Sequence, residues 1–170
     1  MVNKIYIIRH GLTDISCVTK TPEQDRNLNL NNIGVQQMIK VGQYLQDCNI
    51  NKIYTDDCKR TIESSQIIVE QLAQSPIVLI DNYLSNKDVH NNFKANIQEL
   101  LDRVIKDKNE NNICWITHGR IIKLIYHYIK NNRFPEEIPK LSWCNYGCIN
   151  CIEVKDGKIS EVYFGKIIED

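Results

Sequence analysis

Twice in this chain an apolar, β-branched run stops on a histidine followed by a glycine. Lys4-Ile5-Tyr6-Ile7-Ile8-Arg9-His10-Gly11 does so near the N-terminus, and Ile113-Cys114-Trp115-Ile116-Thr117-His118-Gly119 does so much later. Such runs read as strands covered on both faces, the habit of parallel sheets flanked by helices. Ligands of these sheets sit at the carboxyl ends of the strands. Both histidines are therefore expected at one edge, beside glycines that let the backbone approach a ligand closely.

Strand and helix patterns alternate between and after the two runs. Asn31 or Asn32 is expected to cap a helix carrying Ile33, Met38, Val41 and Leu45. Asn51 to Thr55 reads as a strand, and Asp56 or Asp57 as the cap of a second helix that stops before Pro76. Ile77-Val78-Leu79-Ile80, wholly apolar, is expected to be a central strand. A helix over about 93–106 and another from Arg120 to Lys130 follow. Asp156-Gly157 then joins Cys148–Val154 to Ile159–Phe164 as a hairpin. The polar stretches 14–29, 81–92 and 131–147 read as loops, and loops that long in compact domains are usually functional. The expected fold is α/β: a three-layer α/β/α sandwich with a mostly parallel central sheet and an antiparallel C-terminal edge. A chain of 170 residues suits one domain, spanning 1–170, with a core that needs no disulfides.

Lys+Arg and Asp+Glu both total 21, so no net field points to nucleic acid or an anionic membrane. An anion site must then be a local concentration of basic groups. No stretch approaches a membrane span or a signal peptide. With that, the odd count of seven Cys points to reduced thiols and a cytoplasmic setting. Cys144, Cys148 and Cys151 form a C-x3-C-x2-C cluster, but a zinc site normally takes four ligands and no nearby His completes this set. They are read as structural or incidental, and mid-helix His127 as structural or surface.

The basic groups gather where the two histidines are expected. Arg9 precedes His10, and Cys58-Lys59-Arg60-Thr61 opens the helix after the second strand. A helix start favours anions through its free N–H groups and dipole, and an arginine fork binds two phosphate oxygens at once. Two Arg, two His and a helix start converging on one crevice describe a phosphate pocket, with His10 a candidate nucleophile.

The chain resembles the histidine phosphatase superfamily, the phosphoglycerate mutase-like group. Arg9-His10-Gly11 matches its Arg-His-Gly signature. Leu28-Asn29-Leu30-Asn31-Asn32-Ile33-Gly34-Val35-Gln36-Gln37 resembles its "Pro-Leu-Thr-x-x-Gly-x-x-Gln" segment. Ile53-Tyr54-Thr55-Asp56-Asp57-Cys58-Lys59-Arg60-Thr61 resembles "Tyr-Ser-Ser-x-x-x-Arg-Ala", and Ile116-Thr117-His118-Gly119 matches the second-histidine motif. The resemblance implies a phosphoglycerate mutase-like fold and a metal-independent phosphatase without a cofactor. His10 would be the nucleophile, His118 a catalytic partner, and Arg9, Gly11, Arg60 and Gly119 substrate-binding.

The chain departs from the family pattern at several places. Leu12-Thr13 stands where Glu-Thr is usual, and Ser16 where larger members often carry a phosphate-binding Asn. Leu84-Ser85-Asn86 puts Asn86 where the family's general-acid Glu would fall, leaving Asp88, or His90, to protonate a leaving group. Acid catalysis is typically worth about 10²–10⁴-fold. The expected activity is hydrolysis of a phosphomonoester with Asp88 as acid. The alternatives are a phosphohistidine protein phosphatase, which needs no acid, and a non-catalytic phosphate-binding module. The expected partner is a small phosphorylated metabolite or a phosphoprotein.

Overall fold

A computed structural model describes residues 2–14, 21–86, 92–107 and 112–169. Six strands form one sheet in the order β3-β2-β4-β1-β5-β6. They are β1 (Val2–Arg9), β2 (Ile50–Thr55), β3 (Ile77–Ile80), β4 (Asn112–Thr117), β5 (Ile149–Lys155) and β6 (Lys158–Lys166). The first four run parallel, while β5 lies antiparallel to β1 and β6 antiparallel to β5. Five α-helices, α1 (Pro22–Arg26), α2 (Asn32–Leu45), α3 (Lys59–Gln71), α4 (Phe93–Lys106) and α5 (Gly119–Asn131), and one 3-10 turn at Asn82–Leu84 accompany the sheet among the described residues.

The unbroken apolar pattern of β1 has a direct physical basis. Ile5 and Ile7 enter a core shared with α4 and α5, where Trp115, Leu101 and Ile121 are buried. Tyr6 and Ile8 enter a second core on the other face, with Met38 and Leu45 of α2 and Ile68 of α3. Alternate side chains thus meet two helical layers, and neither face tolerates a polar residue. The sheet is therefore the middle of an α/β/α sandwich with an antiparallel edge. In the closing turn Asp156 and Gly157 both take positive φ, +50° and +73°, as a two-residue hairpin turn demands.

Three local expectations are corrected. β3 is an edge strand rather than a central one: Ile77 is 59% exposed and Ile80 55%. Its apolar run reports β propensity, whereas position in the sheet depends on β2 pairing with β4 on its other side. The polar stretch 14–29 contains α1, where Thr21 and Gln24 form a capping box ahead of Pro22. The cap of α3 is Cys58, with no side-chain bond to the helix start. Asp56 receives the Cys58 N–H at a long 3.5 Å and commits its other oxygen elsewhere. By contrast, Asn31 caps α2, its Oδ1 accepting from Gly34 N at 2.8 Å.

Candidate active site

β1 and β4 are parallel neighbours in register, Arg9 beside Thr117, so their carboxyl ends deliver His10 and His118 to the same spot. The two ring centroids lie 5.1 Å apart. Both rings line a cleft of about 290 Å³ with Arg9, Arg60, Gly119, Asn86 and Tyr146. Arg120 and Lys123 add two more cations to its wall, and Asp25 is the carboxylate among the lining residues described.

His10 is 6% exposed, and its Nδ1 lies 2.8 Å from the Gly11 carbonyl. That carbonyl can only accept, so Nδ1 carries the proton and Nε2 keeps its lone pair. Burial, then His118 and the charges of Arg60 and Arg9, hold the imidazole well below its ordinary 6.5, against the pull of Gly11. A neutral ring with a fixed tautomer is what a nitrogen nucleophile needs.

Arg60, at the second position of α3, is 5% exposed. Its fork turns onto Asp25, bonding the carbonyl and, at 3.1 Å, the carboxylate. Arg9 gives Nη1 to the Cys144 carbonyl and lays its guanidinium 3.6 Å from the centre of the Tyr146 ring. Among the described residues, Arg9 Nε is buried without a hydrogen-bond partner, a donor an oxyanion at this spot would satisfy. Gly119 packs against this guanidinium: a Cβ there would stand 3.3 Å from Arg9 Cζ.

Gly11 supports the cleft rather than lining it. Its N–H goes to Ser64 Oγ at 3.3 Å, and its carbonyl holds His10. Gly11 also rests on Gly34, the glycine of the second motif. A Cβ on Gly34 would fall 2.1 Å from the Leu12 carbonyl oxygen, and Gln37, three residues on, accepts the Leu12 N–H at 2.9 Å. The motif from Leu28 to Gln37 therefore acts as the seat of the loop that carries His10. Gly34→Ala is expected to cost about 3 kcal/mol through overpacking and to lower activity together with stability. A thermal melt of the variant checks this, a drop of about 6–12 °C being expected for a chain of this size.

Asp56 went unrecognised in the sequence as a site residue, although it ends β2 at the same sheet edge, the one signal available. It is fully buried, with Oδ2 2.9 Å from His118 Nε2 and Oδ1 accepting from the Thr61 hydroxyl. Burial alone would raise this carboxyl; hydrogen bonding and charge from His118, with Thr61 and Cys58, overcome that and lower it instead. His118 is thereby oriented from behind. Among the described residues, Asp56, Cys58 and His118 also have donor atoms within 4.8 Å of one another, near enough to share a metal ion. Asp56 is already spent on His118, however, and burial pushes the Cys58 thiol up to about 12, so the trio reads as a hydrogen-bonded support. Tyr146, also unrecognised, comes from an irregular loop whose pattern gives no signal. Ser16, Asp88 and His90 lie outside the described residues.

Comparison with known proteins follows the same lines. The sequence matches the family described as the histidine phosphatase superfamily (branch 1), over residues 5–86 and 80–166. No curated protein matches it. Bacillus stearothermophilus YhfR has a similar structure, with TM-score 0.78, 16% identity and 98% of each chain covered. A phosphoglycerate mutase from Bacillus anthracis str. Sterne follows at TM-score 0.76 and 14% identity, covering 97% of this chain and 93% of that one. A phosphoserine phosphatase mutant from Entamoeba histolytica, in complex with phosphoserine, superposes at TM-score 0.70 and 18% identity, covering 96% and 97%. Identities this low speak for the fold.

Proposed function

The chain belongs to the histidine phosphatase superfamily (branch 1), and we propose that it hydrolyses a phosphomonoester through a covalent phosphohistidine on His10. The observation that carries this reading is the His10 tautomer, held by Gly11 with Nε2 left basic in a cleft of cations. Nε2 attacks phosphorus, the P–N bond forms as the ester P–O bond breaks, and the leaving oxygen takes a proton. Water then attacks the phosphohistidine, giving up a proton that restores the acid, the P–N bond breaks, and inorganic phosphate leaves. Arg9, Arg60 and His118 hold the equatorial oxygens and stabilise the charge spread over them in the transition state. Asp88 is assigned the proton transfer, two residues beyond Asn86 in the sequence.

Asn86 favours a second reading. It lines the cleft but cannot deliver a proton. Substrates that leave without an acid, phosphohistidine on a protein among them, would then be turned over best.

Purified protein offered p-nitrophenyl phosphate, phosphoserine and a phosphohistidine protein separates the two. The first reading expects turnover of phosphoserine, and an Asp88→Asn variant losing about 10²–10⁴-fold on it while sparing the nitrophenyl ester. Turnover of phosphohistidine alone selects the second reading. No turnover of any of the three, with phosphate still bound, would leave a binding module. EDTA is expected to change no rate.

A further inference from the structure

The cysteines grouped in the sequence as C-x3-C-x2-C do not form one cluster. Cys151 points into the core under α2 and α3, whereas Cys144 and Cys148 lie in the core on the opposite face of the sheet. The Cys144 and Cys148 sulfurs are 3.9 Å apart. A disulfide requires about 2.05 Å between sulfurs, so an approach of about 1.9 Å joins them.

The turn that carries this pair also braces the cleft. Its Cys144 carbonyl holds the Arg9 guanidinium, and Tyr146 stacks against Arg9 and lies 5.4 Å from the His10 ring. Gly147 N donates to the Arg9 carbonyl at 3.2 Å, and the Cys148 carbonyl accepts from Arg9 N at 3.2 Å. Cys144 Sγ also reaches the carbonyl of Gly119, next to His118, at 3.8 Å. Whatever draws the two sulfurs together therefore pulls on the support of Arg9.

We propose that Cys144 and Cys148 form a reversible intramolecular disulfide that weakens the phosphate cleft. The effect on turnover rests on the phosphatase reading; formation of the bond and its effect on anion affinity do not. Cys148 is the attacking thiol. Asn150 Nδ2 donates to its sulfur at 3.6 Å, and a donor aimed at the sulfur favours the thiolate. Cys148 is as buried as Cys58, Cys114 and Cys151, whose thiols burial raises, and the Asn150 donor sets it apart from them. The thiolate, not the thiol, reacts with oxidants.

With hydrogen peroxide as oxidant, the Cys148 thiolate attacks one peroxide oxygen, an S–O bond forms and the O–O bond breaks. The hydroxide released is protonated to water. Cys144 sulfur then attacks the sulfenic sulfur, the S–S bond forms and the S–O bond breaks. The second hydroxide leaves as water with the Cys144 proton. Two thiols are oxidised by two electrons, and the peroxide is reduced by two. A dithiol reductant reverses the bond by exchange.

The test uses the full chain, reduced, then exposed to hydrogen peroxide and alkylated. Mass spectrometry is expected to find a loss of two hydrogens, with fragmentation placing the bond between Cys144 and Cys148. Calorimetry with inorganic phosphate should show affinity falling about tenfold on oxidation, with turnover of p-nitrophenyl phosphate falling in parallel and dithiothreitol restoring both. Cys144→Ala and Cys148→Ala, each compared with its own reduced state, should show no change on oxidation. Absence of the bond, a bond on another pair, or phosphate affinity untouched by the bond would each overturn the proposal, whether or not the chain turns over any ester. If either variant fails to fold, the wild-type mapping and its reversal by dithiothreitol decide alone.

Discussion

His10→Ala is expected to abolish turnover of p-nitrophenyl phosphate, lowering kcat/KM by about 10⁴-fold or more, the scale on which a covalent nucleophile is lost. Among the described residues nothing else in the cleft replaces it. His118 Nε2 is bonded to Asp56, and the remaining described lining groups that carry charge are cations or Asp25, itself gripped by Arg60. Rapid quenching of the wild-type chain with substrate should trap one phosphoryl group, and peptide mapping should place it on His10. The variant should trap none. Because His10 is held well below its ordinary 6.5, its neutral form persists as pH falls through that value. The acid side of the wild-type profile should therefore show no loss near pH 6.5. Undiminished turnover by a folded His10→Ala variant would sink the covalent mechanism.

What the sequence made readable here is local chemistry with a short-range cause. The two strand-His-Gly devices were readable because an unbroken apolar run has one common home, and parallel neighbours put their ends together. The Asp156-Gly157 hairpin was readable because positive φ at two adjacent residues suits few side-chain pairs. What failed depends on the partners of a segment rather than its own pattern. Ile77–Ile80 looks the same at the centre or the edge of a sheet, and only the pairing of β2 with β4 decides. Asp56 looked like a helix cap until folding brought it within 2.9 Å of a residue 62 positions away. Tyr146 reaches His10 and Arg9 from a loop whose irregular pattern hides which side chain turns inward. Gly34 is an intermediate case: its motif was recognisable, but its purpose, a seat for Leu12 and Gly11, needed the structure.

Arg60→Ala is expected to be the next most damaging change, lowering kcat/KM by about 10³-fold, within the range for arginines that stabilise a transferring phosphoryl group. Position is the reason. Arg60 issues from the first turn of α3, where free backbone N–H groups already favour an anion, and it is 5% exposed, so its charge acts with little screening by water. Its fork already grips Asp25 through a carbonyl and a carboxylate, and an incoming phosphoryl group must compete for the same nitrogens. Removing the side chain loses charge and geometry at once, so KM should rise and kcat fall. Arg60→Lys keeps the charge but not the planar fork, and should recover only about tenfold of the loss. A separate consequence follows from the competition. Asp25→Asn, at a residue whose side chain is 54% exposed, weakens the grip on Arg60 without touching His10, and should lower KM while leaving kcat nearly unchanged. Steady-state kinetics on one ester across the three variants decides the matter. If Arg60→Ala raised KM alone, Arg60 would be a ground-state anchor, and the transition-state charge would rest on Arg9 and His118.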